Sequence, residues 1–119
     1  MKQKFPYFLW LQSAEEEEKE QEKIRKKVLR EIDKALKILA MRYSWNDLYL
    51  FGSIIRTGRF TQSSDIDIAV LGLKKLDYFA FVGDISAILN RSVDVINLED
   101  CYFANSIVSG GVRWIPGKK

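Results

Sequence analysis

The chain has 119 residues, enough for one compact domain with a core drawn from the 47% of its residues that are hydrophobic. It contains no histidine, which excludes histidine-activated nucleophiles, histidine proton relays and most zinc sites. Its 19 basic and 16 acidic side chains leave a net charge of only +3, too small to make nucleic acid an expected partner.

Residues 1–13 read as an apolar tail and 14–119 as a single domain. Phe5 to Leu11 is a compact aromatic patch that is unlikely to stay in water. It is expected to pack either on its own domain or on a partner subunit, as in an oligomer. No run approaches the ~18 apolar residues that a membrane span needs. No small-residue cleavage site follows the patch, so no secretory leader is expected. Cys101 is the sole cysteine, so no internal disulfide can form; the expected location is the reducing cytoplasm.

Ser13 is expected to open a helix, with Glu16 completing a capping box and Glu15 to Glu18 facing the positive end of the dipole. The helix is expected to reach Met41 or Arg42. Ile24, Val28, Ile32, Ala35, Leu36 and Leu39 recur at spacings of three and four and mark its core face. Nothing before Ile24 in the helix forms such a stripe, so its first turns should project into solvent. Arg25, Lys26, Lys27, Arg30, Lys34 and Lys37 read as a solvated basic face.

Tyr43 to Asp47 is expected as a loop and Leu48 to Phe51 as the first strand. That strand ends in Gly52-Ser53, and Ile54-Ile55 begin a short helix. Asp65 to Leu71 reads as the second strand, with Ile66, Ile68 and Val70 on the face opposite Asp65 and Asp67. Leu76 to Leu89 reads as a second long helix with a stripe of Phe79, Val82, Ile85, Ile88 and Leu89. Val93 to Leu98 is the third strand and carries Asp94. Cys101 reads as a small buried apolar residue. Ala104 to Ser109 makes a last helix that stops at Gly110-Gly111, and Val112 to Ile115 forms an edge strand. Trp45, Tyr49 and Trp114 read as core or interface residues, and Arg91 as a surface or sheet-edge residue without a catalytic role. The fold class is α/β (α+β): a small mixed sheet flanked by helices.

The stretch LFGSIIRTGRFTQSSDIDIAVL, Leu50 to Leu71, carries the chemistry. Two carboxylates at i and i+2 on a strand share one face, about 7 Å apart along the backbone. Like charges so placed call for a cation, and two Mg²⁺ ions about 3.5–4 Å apart are the usual occupants. The Gly-Ser bend upstream offers backbone N–H groups and a hydroxyl to a phosphate chain.

This pattern of Gly52-Ser53, a loop, then Ser64-Asp65-Ile66-Asp67 entering an apolar strand resembles the DNA polymerase β-like nucleotidyltransferase superfamily. The short length is similar to its smallest members, the minimal nucleotidyltransferases. Arg56 stands where the family has an arginine, Arg91 to Ile96 (RSVDVI) resembles its third-acid strand, and Ile107 to Trp114 (IVSGGVRW) its closing helix and strand. The resemblance covers roughly residues 28 to 115. Eleven residues separate Ser53 from Asp65, one more than is common in the family, and Arg56-Thr57-Gly58 replaces an Arg-Gly pair.

The resemblance implies transfer of a nucleotidyl group from a nucleoside triphosphate to a hydroxyl, with release of pyrophosphate. Asp65 and Asp67 would hold two Mg²⁺ ions. Asp94 would complete the one nearer the nucleophile and help deprotonate it, with Asp100 a nearby competitor for that place. Gly52, Ser53, Arg56 and Ser64 would bind the nucleotide, with Arg59 an alternative to Arg56 if the longer loop shifts the register. Small members of this kind act as antitoxins that transfer AMP from ATP to a helical HEPN-type toxin. The chain is too short for an acceptor-binding domain of its own, which favours a protein substrate. Two further readings are neutralisation of the toxin by binding alone, and transfer to a small molecule. Nucleic acid and membrane are not expected partners.

Overall fold

The computed structural model describes the backbone of residues 7–116 and the side chains of residues 12–116. The side chains of the apolar patch at Phe5 to Leu11 thus lie outside the described residues. Four strands form one sheet, β1 (Asp47–Phe51), β2 (Ile66–Leu71), β3 (Val93–Asn97) and β4 (Val112–Arg113), in the order β3-β2-β1-β4. β1 runs antiparallel to both β2 and β4, whereas β2 and β3 are parallel. The sheet is therefore mixed, as the sequence implied. The parallel pair needs a crossover, and helix α2 (Tyr78–Leu89) supplies it. The other helices are α1 (Tyr7–Leu39) and α3 (Ala104–Gly110).

Side chains alternate across each strand, so the sheet builds two cores. Leu48, Leu50, Ile66, Ile68, Val70, Val93 and Val95 pack with Val28, Ile32, Leu36 and Leu39 of α1 and with Phe81 and Ile85 of α2. On the opposite face Ala69, Leu98 and Ile107 form a smaller core with Tyr49, Phe51, Leu71, Ile96, Cys101 and Ala104. Asp67 and Asp94 alternate onto this second face.

α1 is continuous from Tyr7 through 33 residues, so Ser13 lies inside it and does not cap it. No Gly or Pro separates Tyr7 from Ser13, and the intervening Leu and aromatic residues are tolerated in a helix. The helix stops at Leu39, short of the expected Met41 or Arg42. Gln12 to Glu20 are exposed apart from Ala14, in keeping with a first half that projects into solvent. Among the described residues no helix is long and apolar enough to cross a membrane.

The buried stripe of α2 differs from the expected one. Phe81 is fully buried with Ile85, and Tyr78, Val82 and Leu89 pack beside them, while Phe79 is 83% exposed and Ile88 40%. Both stripes share Val82, Ile85 and Leu89, so helical spacing alone does not separate them. Contacts from elsewhere decide: Phe81 meets Tyr43 and Trp45 edge-on at 5.6 and 5.7 Å. The Tyr78 hydroxyl donates to the Val95 carbonyl at 2.6 Å. Phe81→Ala should therefore cost about 3–5 kcal/mol in urea unfolding, whereas Phe79→Ser should stay within about 0.5 kcal/mol. Equal losses would return Phe79 to the core.

Trp114 and Trp45 are core residues, with ring centroids 6.1 Å apart. The Trp114 indole N–H donates to Asp33 at 3.0 Å, tying the C-terminal segment to α1.

Candidate active site

Asp67 and Asp94 are direct register partners on the parallel strands β2 and β3, and Phe51 stands opposite Asp67 on β1. The period of two puts both acids on the α3 side of the sheet. α3 covers that side near Ala69 and Leu98, and leaves the edge carrying the acids open. Asp94 and Asp65 are exposed and Asp67 is partly buried. Burial, then the charges of Asp94 and Asp65, hold the Asp67 carboxyl above its ordinary value of 3.8. A side-chain hydrogen bond with Asp94 is the smallest contribution to that rise.

The Gly52 backbone closes over this pair. It has φ +77°, and a Cβ there would collide with Oδ2 of Asp67. Only glycine tolerates both that dihedral and that approach. The chain then makes a single 3-10 turn over Gly52–Ile55 in place of the expected helix start, and Ser53 lies partly buried within it.

Asp65 stands just ahead of the ladder, because β2 begins at Ile66. It acts on Asp67 through charge. Among the described residues no three Asp, Glu, His or Cys side chains are gathered tightly enough to form a metal cage by themselves. The structure brings Asp67 and Asp94 together, and Asp65 near them on a less constrained segment. Asp100 lies in the turn beyond the opposite end of β3, with roughly 10 Å of strand between Asp94 and the start of that turn.

Arg56 is exposed and lines a cleft of about 270 Å³ with Gly52, Ile55, Phe103 and Ser106. Arg59 instead lines a groove with Glu15, Glu18 and Glu22. Arg56 therefore shares the Gly52 side of the loop and Arg59 does not. The Ser64 hydroxyl accepts the Thr61 N–H at 2.9 Å and sits 3.1 Å from the Thr61 hydroxyl, which closes the turn ahead of Asp65.

Three residues matter here that sequence reading passed over. Arg25, expected on a solvated face, donates through Nη1 to the Ile54 carbonyl at 2.9 Å and pairs with Glu22 at 2.8 Å. Glu22 accepts the Gly58 N–H at 3.3 Å. The Arg25 hydrogen bond holds the Glu22 carboxyl below its ordinary value. Together they clamp the Gly-Ser turn and its loop to α1. The signal was available: Arg25 is spaced three and seven residues from the buried Val28 and Ile32. Arg91 is the third, with no comparable signal, since its partners lie 27 and 29 residues away. Arg25→Met should speed hydrogen exchange at the Arg56 and Gly58 amides by about tenfold, the value of one charge-assisted hydrogen bond. An unchanged exchange rate there would remove the clamp.

The sequence profile of the family "Polymerase beta, Nucleotidyltransferase" matches residues 33–115. The chain belongs to this family. No curated protein matches its sequence. A crystal structure of the toxin–antitoxin MntA-HepT is similar over 72% of this chain and 71% of that one, at 25% identity and a TM-score of 0.54. A crystal structure of a toxin–antitoxin with AMP-PNP shares the fold over 72% of this chain and 74% of that one, at 24% identity and a TM-score of 0.59. The polymerase β-like fold expected from Gly52-Ser53 and Asp65-Ile66-Asp67 is thus the fold observed, and the chain is a nucleotidyltransferase.

Proposed function

We propose that this nucleotidyltransferase is the antitoxin of a toxin–antitoxin pair, and that it silences a helical HEPN-type toxin by transferring AMP to it from ATP. The observation that carries the chemistry is the cross-strand pair Asp67 and Asp94 beneath the Gly52 backbone. The likeness to MntA-HepT supports the biological role.

Mg²⁺ fits this donor set. The site offers acceptor-only oxygens, and like charges with burial raise the Asp67 carboxyl, a cost that a cation would offset. Asp65, Asp67 and Asp94 would hold two Mg²⁺ ions, which when bound neutralise the triphosphate and polarise the α-phosphate. The Gly52 and Ser53 N–H groups and the Ser53 hydroxyl bind the β- and γ-phosphates, and Arg56 adds positive charge from the same cleft. Ser64 acts from behind, by closing the turn that presents Asp65. The acceptor oxygen forms a bond to the α-phosphorus as the α–β bridging bond breaks, and pyrophosphate carries away the bridging electrons. Asp94, open to solvent, takes the proton of the acceptor hydroxyl. The free thiol of Cys101 suits a cytoplasmic setting.

Incubation with Mg²⁺ and ATP labelled at the α-phosphate should label a co-expressed helical partner, and Asp65→Asn should label none. Equal labelling by both proteins would overturn the role of the acids. No labelling by either, with the complex intact, would leave neutralisation by binding alone.

A further inference from the structure

We infer that Arg91 is a positioning residue: it fixes the loop ahead of Asp65 and so sets where that carboxylate lies relative to the Asp67–Asp94 pair that would take a divalent cation. The inference rests on the metal site proposed above. Asp67 and Asp94 are held by the β2–β3 ladder. Asp65 is not, because the ladder begins one residue after it. Something else must set where its carboxylate points.

Arg91 provides that constraint. Its Nη1 donates to the Gln62 carbonyl at 2.9 Å and to the Ser64 carbonyl at 3.1 Å, the residue immediately before Asp65. Its Nη2 donates to the Gln62 side-chain oxygen at 3.3 Å. The guanidinium lies 5.1 Å from the ring centroid of the fully buried Phe60, so the side chain is seated as well as bonded. The next residue adds a stitch, with the Ile66 N–H donating to the Ser92 carbonyl at 3.1 Å.

Arg91 also stands three residues before Asp94, so one side chain links the segment that carries Asp94 to the segment that carries Asp65. A lysine ammonium in its place would lose the Nη2 bond to the Gln62 side chain and the planar face against Phe60, and would sit on a more flexible stem. These hydrogen bonds go to Gln62 and Ser64 rather than to the acids. The effect on metal binding is therefore geometric, like that of the outer groups that orient metal ligands elsewhere.

The test is Mn²⁺ binding to the nucleotide-free protein, followed by electron paramagnetic resonance, for wild type, Arg91→Met and Arg91→Lys, with Asp67→Asn as the control. Both Arg91 variants should weaken Mn²⁺ affinity by about 10–100-fold, the range for outer groups that orient ligands. At saturating metal the KM for ATP should change less than the metal affinity does. If Arg91→Met does not fold, Arg91→Lys decides by the same measure. A lower melting temperature with unchanged Mn²⁺ affinity would make Arg91 merely structural and overturn the inference. Loss of Mn²⁺ in Asp67→Asn but in neither Arg91 variant overturns the Arg91 role alone. Wild-type Mn²⁺ affinity in Asp67→Asn overturns the metal site, and the Arg91 role with it.

Discussion

Asp67→Asn is expected to lower nucleotidyl transfer by about 10³-fold or more and at the same time to raise the melting temperature of the metal-free protein. The first effect follows from removing a carboxylate of the proposed metal site, since metal-ion stabilisation of developing charge is worth several kcal/mol. The second follows from the electrostatics of the empty site. Burial and the charges of Asp94 and Asp65 raise the Asp67 carboxyl, so ionised Asp67 opposes folding. A carboxyl raised in the folded state carries its full penalty above its folded value. The penalty fades as pH falls and is gone below the ordinary value of 3.8. The thermal advantage of Asp67→Asn should therefore be full at pH 7 and vanish near pH 3. Asn keeps the shape and can donate to Asp94, so no cavity offsets the gain. Scanning calorimetry in EDTA at the two pH values measures it. Added Mg²⁺ should raise the melting temperature of wild type and leave that of Asp67→Asn unmoved. A variant that melts below wild type in EDTA at pH 7 would refute the account of repulsion at the site.

Parts of this protein whose placement depends on near neighbours in the chain were legible in its sequence, and parts set by distant contacts were not. The strands were, because a period of two places Ile66, Ile68 and Val70 on one face and Asp67 on the other without help from distant residues. The candidate site stood out for the same reason: a charged residue at an apolar-strand position breaks the local rule, and such breaks are where chemistry is to be sought. The stripe of α2 was not legible. Phe79 and Phe81 both fit a helical face, and the choice was made by Tyr43 and Trp45, which arrive from a loop with no pattern of its own. The loop contacts were hidden by separation along the chain. Arg25 and Ile54 lie 29 residues apart in the chain and are brought together by the packing of α1 on the sheet. Arg91 reads as one more surface charge until the fold puts Ser64 beneath it. Eleven residues separate Ser53 from Asp65, and clamps at Arg25 and Arg91 bear on the two ends of that span.

Gly52→Ala should damage nucleotidyl transfer through a single added methyl group, and Gly58→Ala is its control. Both glycines have left-handed backbones, φ +77° and +75°. Each alanine then carries the same strain, about 1–2 kcal/mol. Their surroundings differ. A Cβ at Gly58 meets nothing within 4 Å, while one at Gly52 runs into the Asp67 carboxylate. The turn at Gly52 cannot retreat freely, because Arg25 holds the Ile54 carbonyl two residues on. Asp67 cannot retreat freely either, since the β2–β3 ladder fixes it beside Asp94. The methyl should therefore push the Gly52-Ser53 bend away from Asp67. A displacement of about 1 Å costs on the order of 10²-fold in rate. Gly58→Ala should melt lower than wild type yet keep its transfer rate within a few-fold, whereas Gly52→Ala should lose both stability and at least about 10²-fold in kcat/KM. If the two alanine proteins transferred at the same rate, the close approach of Gly52 to Asp67 would have no part in the chemistry.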